Sequence, residues 1–150
     1  MADSDLIKLY SDRILELASS IPHATRLEAP HVTVTRRSPQ CGSTITVDLC
    51  ATDGVITAFG QDVKACALGQ ASAALVGASI LGRSLADMET GRDALAAMLS
   101  EDATPPEPPF EGFDVLTPAR AFKNRHASIL LVFDATVEAM TTLAAKSASA

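Results

Sequence analysis

Three residues far apart in this chain carry side chains that ligate soft metals: Cys41 in Ser38-Pro-Gln-Cys-Gly42, Cys66 in Ala65-Cys-Ala-Leu-Gly-Gln-Ala-Ser72, and His126 in Arg125-His-Ala-Ser128. Two thiols and one imidazole form a set suited to zinc, iron or an iron-sulfur cluster. Such chemistry requires three separate segments to converge, so the elements between them decide whether a site exists.

The periodicity supplies a route for the two thiols. Val32 and Val34, then Ile45, Val47 and Leu49, alternate with Thr or Asp and predict two strands with one buried face each. A third strand is expected from about Val55 to Val63, joined to the second through Asp53-Gly54, the favoured two-residue hairpin turn. Counting back from that turn with Thr52 opposite Val55 places Cys41 opposite Cys66 at the open end of the hairpin. A one-residue slip, as a bulge near Gly60 would introduce, still leaves the thiols within roughly 7–8 Å at the Cα level. Cys66 then opens a helix, where unsatisfied amides and the helix dipole favour its thiolate. Cys50 alternates out of phase with the buried positions and receives no chemistry. His23 and His31 read as solvated loop and strand-edge residues.

The remaining elements frame these segments. Ile7, Tyr10, Ile14, Leu17 and Ile21 recur at steps of three and four, predicting an opening amphipathic helix that ends before Pro22. The helix after Cys66 is expected to reach about Leu81 with Gly82 as its stop. A second follows from Ser84, in Ser-Leu-Ala-Asp, to about Leu99. Four of the eight prolines lie in Pro105-Pro-Glu-Pro-Pro109, so 102–112 reads as a stiff, non-helical connector. A last helix from about Asn124 to Ala145 carries Leu130, Phe133, Val137, Met140 and Ala144 on one stripe, and 146–150 reads as a disordered tail.

Composition bounds the function. The 150 residues are one domain's worth, 1–150, and 47% hydrophobic content suffices for a single core, built without tryptophan mainly from aliphatic side chains. A net charge of -6 and a pI near 4.9 argue against nucleic acid or an acidic membrane as partner. The uncharged run 65–82 is rich in Ala, Gly and Ser rather than Leu, Ile and Phe, which argues against a membrane span. An odd cysteine count and an acidic start without a basic, then apolar leader predict a reducing, cytoplasmic setting.

Pro39-Gln-Cys-Gly42 before a strand, Cys66-Ala-Leu-Gly-Gln-Ala-Ser72 opening a helix, Gly82-Arg-Ser84 after it and His126-Ala-Ser-Ile-Leu130 opening the last helix resemble the IscU/SufU/NifU-type iron-sulfur cluster assembly scaffolds. The resemblance covers nearly the whole chain, from Leu9-Tyr10 to about Ala145. It implies an α+β fold in which a small antiparallel sheet of about three strands packs against four to five helices. It also implies a non-enzymatic scaffold or carrier on which a cysteine desulfurase delivers sulfur and iron joins. A [2Fe-2S] cluster would be held there by Cys41, Cys66 and His126 and passed to apo iron-sulfur proteins.

Two pocket positions depart from the pattern: Ser43 stands where the family has Asp, and Ala127 where it has a third Cys. The family's chaperone segment Leu-Pro-Pro-Val-Lys is also replaced, by Leu116-Thr-Pro-Ala-Arg120. A diferric cluster needs four terminal ligands, so the fourth has to come from a second subunit in a homodimer, a small thiol or water. Two other readings compete. One is a zinc-binding structural or regulatory relative that has lost sulfur acceptance. The other is a cysteine hydrolase with Cys66 as nucleophile and His126 as base, for which the sequence offers no orienting third residue or oxyanion donor.

Overall fold

The computed structural model describes residues 11–39 and 42–149, with side chains described through residue 146. Helix α1, Asp12–Ser19, starts where the Ser11 hydroxyl accepts the Ile14 amide at 3.3 Å. It buries Ile14 completely and sets Leu17 and Ile21 against the core, as the three-four spacing requires. Ile7 and Tyr10, the first residues of the predicted stripe, lie outside the described residues.

Three strands follow, β1 (Val32–Arg37), β2 (Thr44–Thr52) and β3 (Val55–Lys64), forming one antiparallel sheet in the order β1-β2-β3. Asp53 and Gly54 both take positive φ, 53° and 81°, which gives the hairpin turn the twist of its strands. Next to the turn the pairing is the expected one, Thr52 with Val55 and Ala51 with Ile56. An irregularity between Cys50 and Ala51 then shifts the register, so Thr44 pairs with Lys64 instead of Val63. The shift therefore arises beside the turn and not near Gly60. Gly60 lacks a side chain for another reason: the Thr25 carbonyl crosses the space a Cβ would fill.

That crossing segment is fixed by Asp48. Its carboxylate, wholly buried, accepts Arg26 Nε at 2.6 Å, the Leu27 amide at 3.0 Å and the Thr33 hydroxyl at 2.6 Å. Read as an alternating polar residue, Asp48 instead anchors the loop that covers the second face of the sheet.

Helix α2, Ala67–Gly77, ends four residues before the expected end at Leu81. Gly82, with φ 87°, turns the chain back onto β3, where its amide donates to the Ile56 carbonyl while the Ile56 amide donates to Arg83. Helix α3, Leu85–Ser100, begins in the expected capping box of Ser84 and Asp87. The proline-rich connector is non-helical up to Phe110, but Glu111–Ala121 and Lys123–Arg125 form 3-10 helices that sequence periodicity did not predict.

Helix α4, His126–Ser149, extends past the expected end near Ala145. It packs on β1, β2, α2 and α3. Between Ser128 and Met140 only Glu138 is exposed, so burial runs round the helix instead of along one stripe, while Ala144 of the predicted stripe is exposed. Phe133 on this helix meets Phe110 and Phe113, and Gly91 on α3 leaves the space that the Phe110 and Phe133 rings need. α4 is long and apolar enough to cross a membrane by length and composition, yet it is the core helix of this fold. The architecture is α+β, a three-stranded antiparallel sheet under a helical layer.

Candidate functional site

Cys66 is the N-cap of α2, in extended conformation one residue before the first helical turn. Its sulfur closes no cap hydrogen bond of ordinary geometry, but it is surrounded by donors. The Ser128 hydroxyl lies 3.6 Å away, and that same hydroxyl is 2.9 Å from the hydroxyl of Ser43. Ser43 and Ser128 are both buried. Burial pushes the Cys66 thiol up, but the Gly69 amide, the Ser128 hydroxyl, the Leu68 amide and Arg125 together outweigh it, and the net shift is downward. The thiolate is the form that ligates metal or attacks sulfur.

The motif around Cys66 explains how Ser128 comes so close. A Cβ on Gly69 would lie 2.6 Å from the Ser128 hydroxyl and 2.8 Å from the Ala65 Cβ, so only glycine admits α4 there. One turn along, the buried Ser72 hydroxyl donates to the Ile129 carbonyl at 2.5 Å, satisfying both groups and locking α2 against the first turn of α4. Gly69 and Ser72 are thus the positioning residues of the Cys66 segment.

The loop between β1 and β2 is tied at its ends. The Ser38 amide donates to the Ser43 carbonyl at 2.7 Å, and the Gly42 amide, at a residue with φ 71°, donates to the Ser38 carbonyl at 2.9 Å. Cys41 lies outside the described residues, so the expected pairing of its thiol with Cys66 has no geometry here. Ser43, where the resemblance led to the expectation of Asp, points inward to Ser128.

His126 is the first residue of α4, half-buried, with Nε2 3.1 Å from the Ala119 carbonyl. A carbonyl only accepts, so this contact places the ring proton on Nε2 and leaves the Nδ1 lone pair for a metal. Arg125, which closes the second 3-10 segment, and Ser128, on the first turn of α4, act on Cys66, and His126 lies between them in sequence. Among the described residues no three His, Cys, Asp or Glu side chains gather to hold an ion. The structure therefore joins Cys66 to Ser128 and Arg125, and through Ser128 to Ser43, while the His126 ring meets the Ala119 carbonyl. Cys50, half-buried near the hairpin turn, points its thiol at the Ala29 carbonyl, 3.5 Å away.

Sequence reasoning singled out Cys66 but gave no role to Ser128 and Arg125. The signal was faint: both flank His126 in Arg125-His-Ala-Ser128, yet only the tertiary packing of α4 on α2 shows what they face.

No family model matches the chain, and no curated relative matches it either. Solved structures do. A NifU-like protein (N-terminal) from Brucella abortus described as nitrogen-fixing superposes with a TM-score of 0.92 at 39% identity, over 95% of this chain and 99% of that one. A putative iron-sulfur cluster assembly scaffold protein for the SUF system from Fervidobacterium islandicum AW-1 gives a TM-score of 0.80 over 89% of this chain and 98% of its own, at 16% identity, a likeness of fold alone. A hypothetical protein with a TM-score of 0.70 and 19% identity, covering 90% of this chain and 98% of its own, shares the fold as well. The identity and near-complete coverage of the first of these structures establish that the chain belongs to the NifU-like (N-terminal) family.

Proposed function

We propose that this protein is an iron-sulfur cluster assembly scaffold or carrier that receives iron and sulfur, holds a [2Fe-2S] cluster as cargo through Cys41, Cys66 and His126, and passes it to apoproteins. The observation that carries the reading is Cys66: in a NifU-like frame, a half-buried thiol at a helix N-terminus is favoured as its thiolate by amides, a hydroxyl and a guanidinium. The His126 tautomer set by Ala119 supports a second ligand, because Nδ1 is left as the free donor. Cys41, next to Gly42 in the tied loop, completes the set by its place in the family motif. The partners on this reading are a cysteine desulfurase as sulfur donor and apo iron-sulfur proteins as acceptors, and the chain itself is not an enzyme.

Anaerobic reconstitution with a cysteine desulfurase, cysteine and ferrous iron tests this. Wild type and Cys50→Ser should develop the absorption and Mössbauer signature of a [2Fe-2S] cluster in equal amount, and Cys66→Ser should not. A colourless wild type that retains only zinc, or equal loss in Cys50→Ser and Cys66→Ser, would overturn the assignment.

A further inference from the structure

A cavity of about 210 Å³ lies between α3 and the proline-rich connector, and none of the groups that act on Cys66 lines it. Asp87, Thr90 and Gly91 form its helical wall, because steps of three and four bring them to one side of α3. The opposite wall carries Pro106 and Pro109, whose rings fix the backbone φ. Phe110, also on that wall, packs edge-on against Phe133 with 5.1 Å between ring centres, and a Cβ on Gly91 would collide with both rings. The cavity is therefore shaped before anything enters it.

Arg83 lines the same space and is held by its backbone, which donates to the Ile80 carbonyl at 3.2 Å and accepts the Ile56 amide at 2.9 Å. Its guanidinium is unmatched. Nε is buried with no hydrogen-bond partner, and among the described residues neither Asp87 nor Glu107 forms an ion pair with it, although both carboxylates line the cavity. A buried N–H without an acceptor is costly, so the site calls for one.

The two carboxylates restrict what that acceptor can belong to. One Asp87 oxygen accepts the Ser84 amide at 2.9 Å, whereas the Glu107 side chain has no partner among the described residues. A simple anion would answer Arg83 but set a third negative charge beside these two, and a simple cation would leave Nε unanswered. A molecule carrying both charges close together meets Arg83 and Glu107 at once. The volume, below the ~300–1,000 Å³ of pockets for drug-sized ligands, admits only a few heavy atoms.

We infer that this cavity binds the zwitterion of a small apolar α-amino acid, its carboxylate accepting from Arg83, its ammonium donating to Glu107 and its side chain resting on Gly91 and Phe110.

The full chain, isotope-labelled and metal-free, is titrated with L-alanine and followed by NMR, with propionate and ethylamine as probes that carry one charge each. Saturable shifts are expected at the Arg83 Nε–H and at the amides of Thr90, Gly91 and Glu107, with a Kd of about 1 mM, as suits a ligand of so few atoms. Propionate and ethylamine should each bind at least about tenfold more weakly. Arg83→Gln and Glu107→Gln should each weaken L-alanine about tenfold, and Glu107, being exposed, can be replaced without disturbing the core. No saturable shift in wild type, equal binding of L-alanine and propionate, or unchanged affinity in either variant overturns the assignment. So does a coupling between Arg83→Gln and Glu107→Gln in urea unfolding without ligand, since the two side chains would then pair with each other and leave no free guanidinium. Cluster assembly enters none of these readouts, so their failure leaves the scaffold reading where it stands.

Discussion

The Ser43 hydroxyl lies 2.9 Å from the Ser128 hydroxyl, joining the loop after β1 to the first turn of α4 across 85 residues of sequence. Both side chains are buried, so each satisfies a group that would otherwise lose its hydrogen bond to water. Ser43→Ala and Ser128→Ala should each cost about 1–2 kcal/mol, and the double variant less than their sum, because removing both partners leaves fewer unsatisfied atoms. Urea unfolding of the four proteins in a double-mutant cycle measures the coupling, and strict additivity would show that the two hydroxyls are independent.

The same contact bears on restoring the family's side chains. Ala127→Cys sits half-buried on the first turn of α4 and should raise the amount of reconstituted cluster without loss of stability. Ser43→Asp is different, since it buries a carboxylate against Ser128 and close to the Cys66 thiol. Adding it should lower the urea midpoint and offset part of the gain from Ala127→Cys; an unchanged midpoint would show that the carboxylate finds a partner there.

Cys66 should alkylate with a midpoint below that of an ordinary thiol, because its donors outweigh burial. In a Cys41→Ser, Cys50→Ser background, the pH dependence of the iodoacetamide rate reports this thiol alone. Ser128→Ala and Arg125→Leu should each move the midpoint upward. An unchanged midpoint in both would leave the first-turn amides as the whole cause.

Asp48 sets an acid limit on the fold. Burial raises its pKa, but Arg26, Thr33 and the Leu27 amide overcome that, so it ends below the usual carboxylate value. Its contribution is complete above the unfolded-state pKa and is lost as pH falls through the lower folded value. Asp48→Asn should cost about 2 kcal/mol at pH 7 and flatten stability below about pH 4. Thermal melts from pH 7 to 2 compare the two proteins directly.

Asp134 on α4 has the opposite sign. Burial raises its pKa, and Arg36 and Arg92 only partly oppose this. The folded state therefore holds the proton more tightly than the unfolded chain, which penalises stability at neutral pH and removes the penalty as the carboxyl becomes protonated in acid. Asp134→Asn should raise the melting temperature at pH 7, with the gain vanishing toward pH 4. A constant gain across that range would assign the effect to packing.

The features legible in the sequence were those specified locally. Asp53-Gly54 encodes its own turn, Ser84 and Asp87 encode their own capping box, and strict alternation in β2 marks its buried face. Cys66 could be placed at a helix start for the same reason. What stayed hidden depends on distant packing. Asp48 follows the alternation but becomes buried because the Arg26 and Leu27 segment folds over it. The Ser43–Ser128 contact has no local signature at all, and Pro118 inside Glu111–Ala121 concealed a 3-10 segment that carries too few periodic positions to announce itself.

The near-complete burial of α4 between Ser128 and Met140 also constrains how the protein can vary. A larger residue at its fully buried positions, such as Ile129, Phe133 or Ala139, collides with sheet or helix, so packing restricts what those positions accept. Positions 126 and 127, half-buried on the opening turn, are free of that restraint. A thiol or a methyl at 127 leaves the frame intact, so a substitution there changes the chemistry of the opening turn while the packed stretch that follows it is held constant.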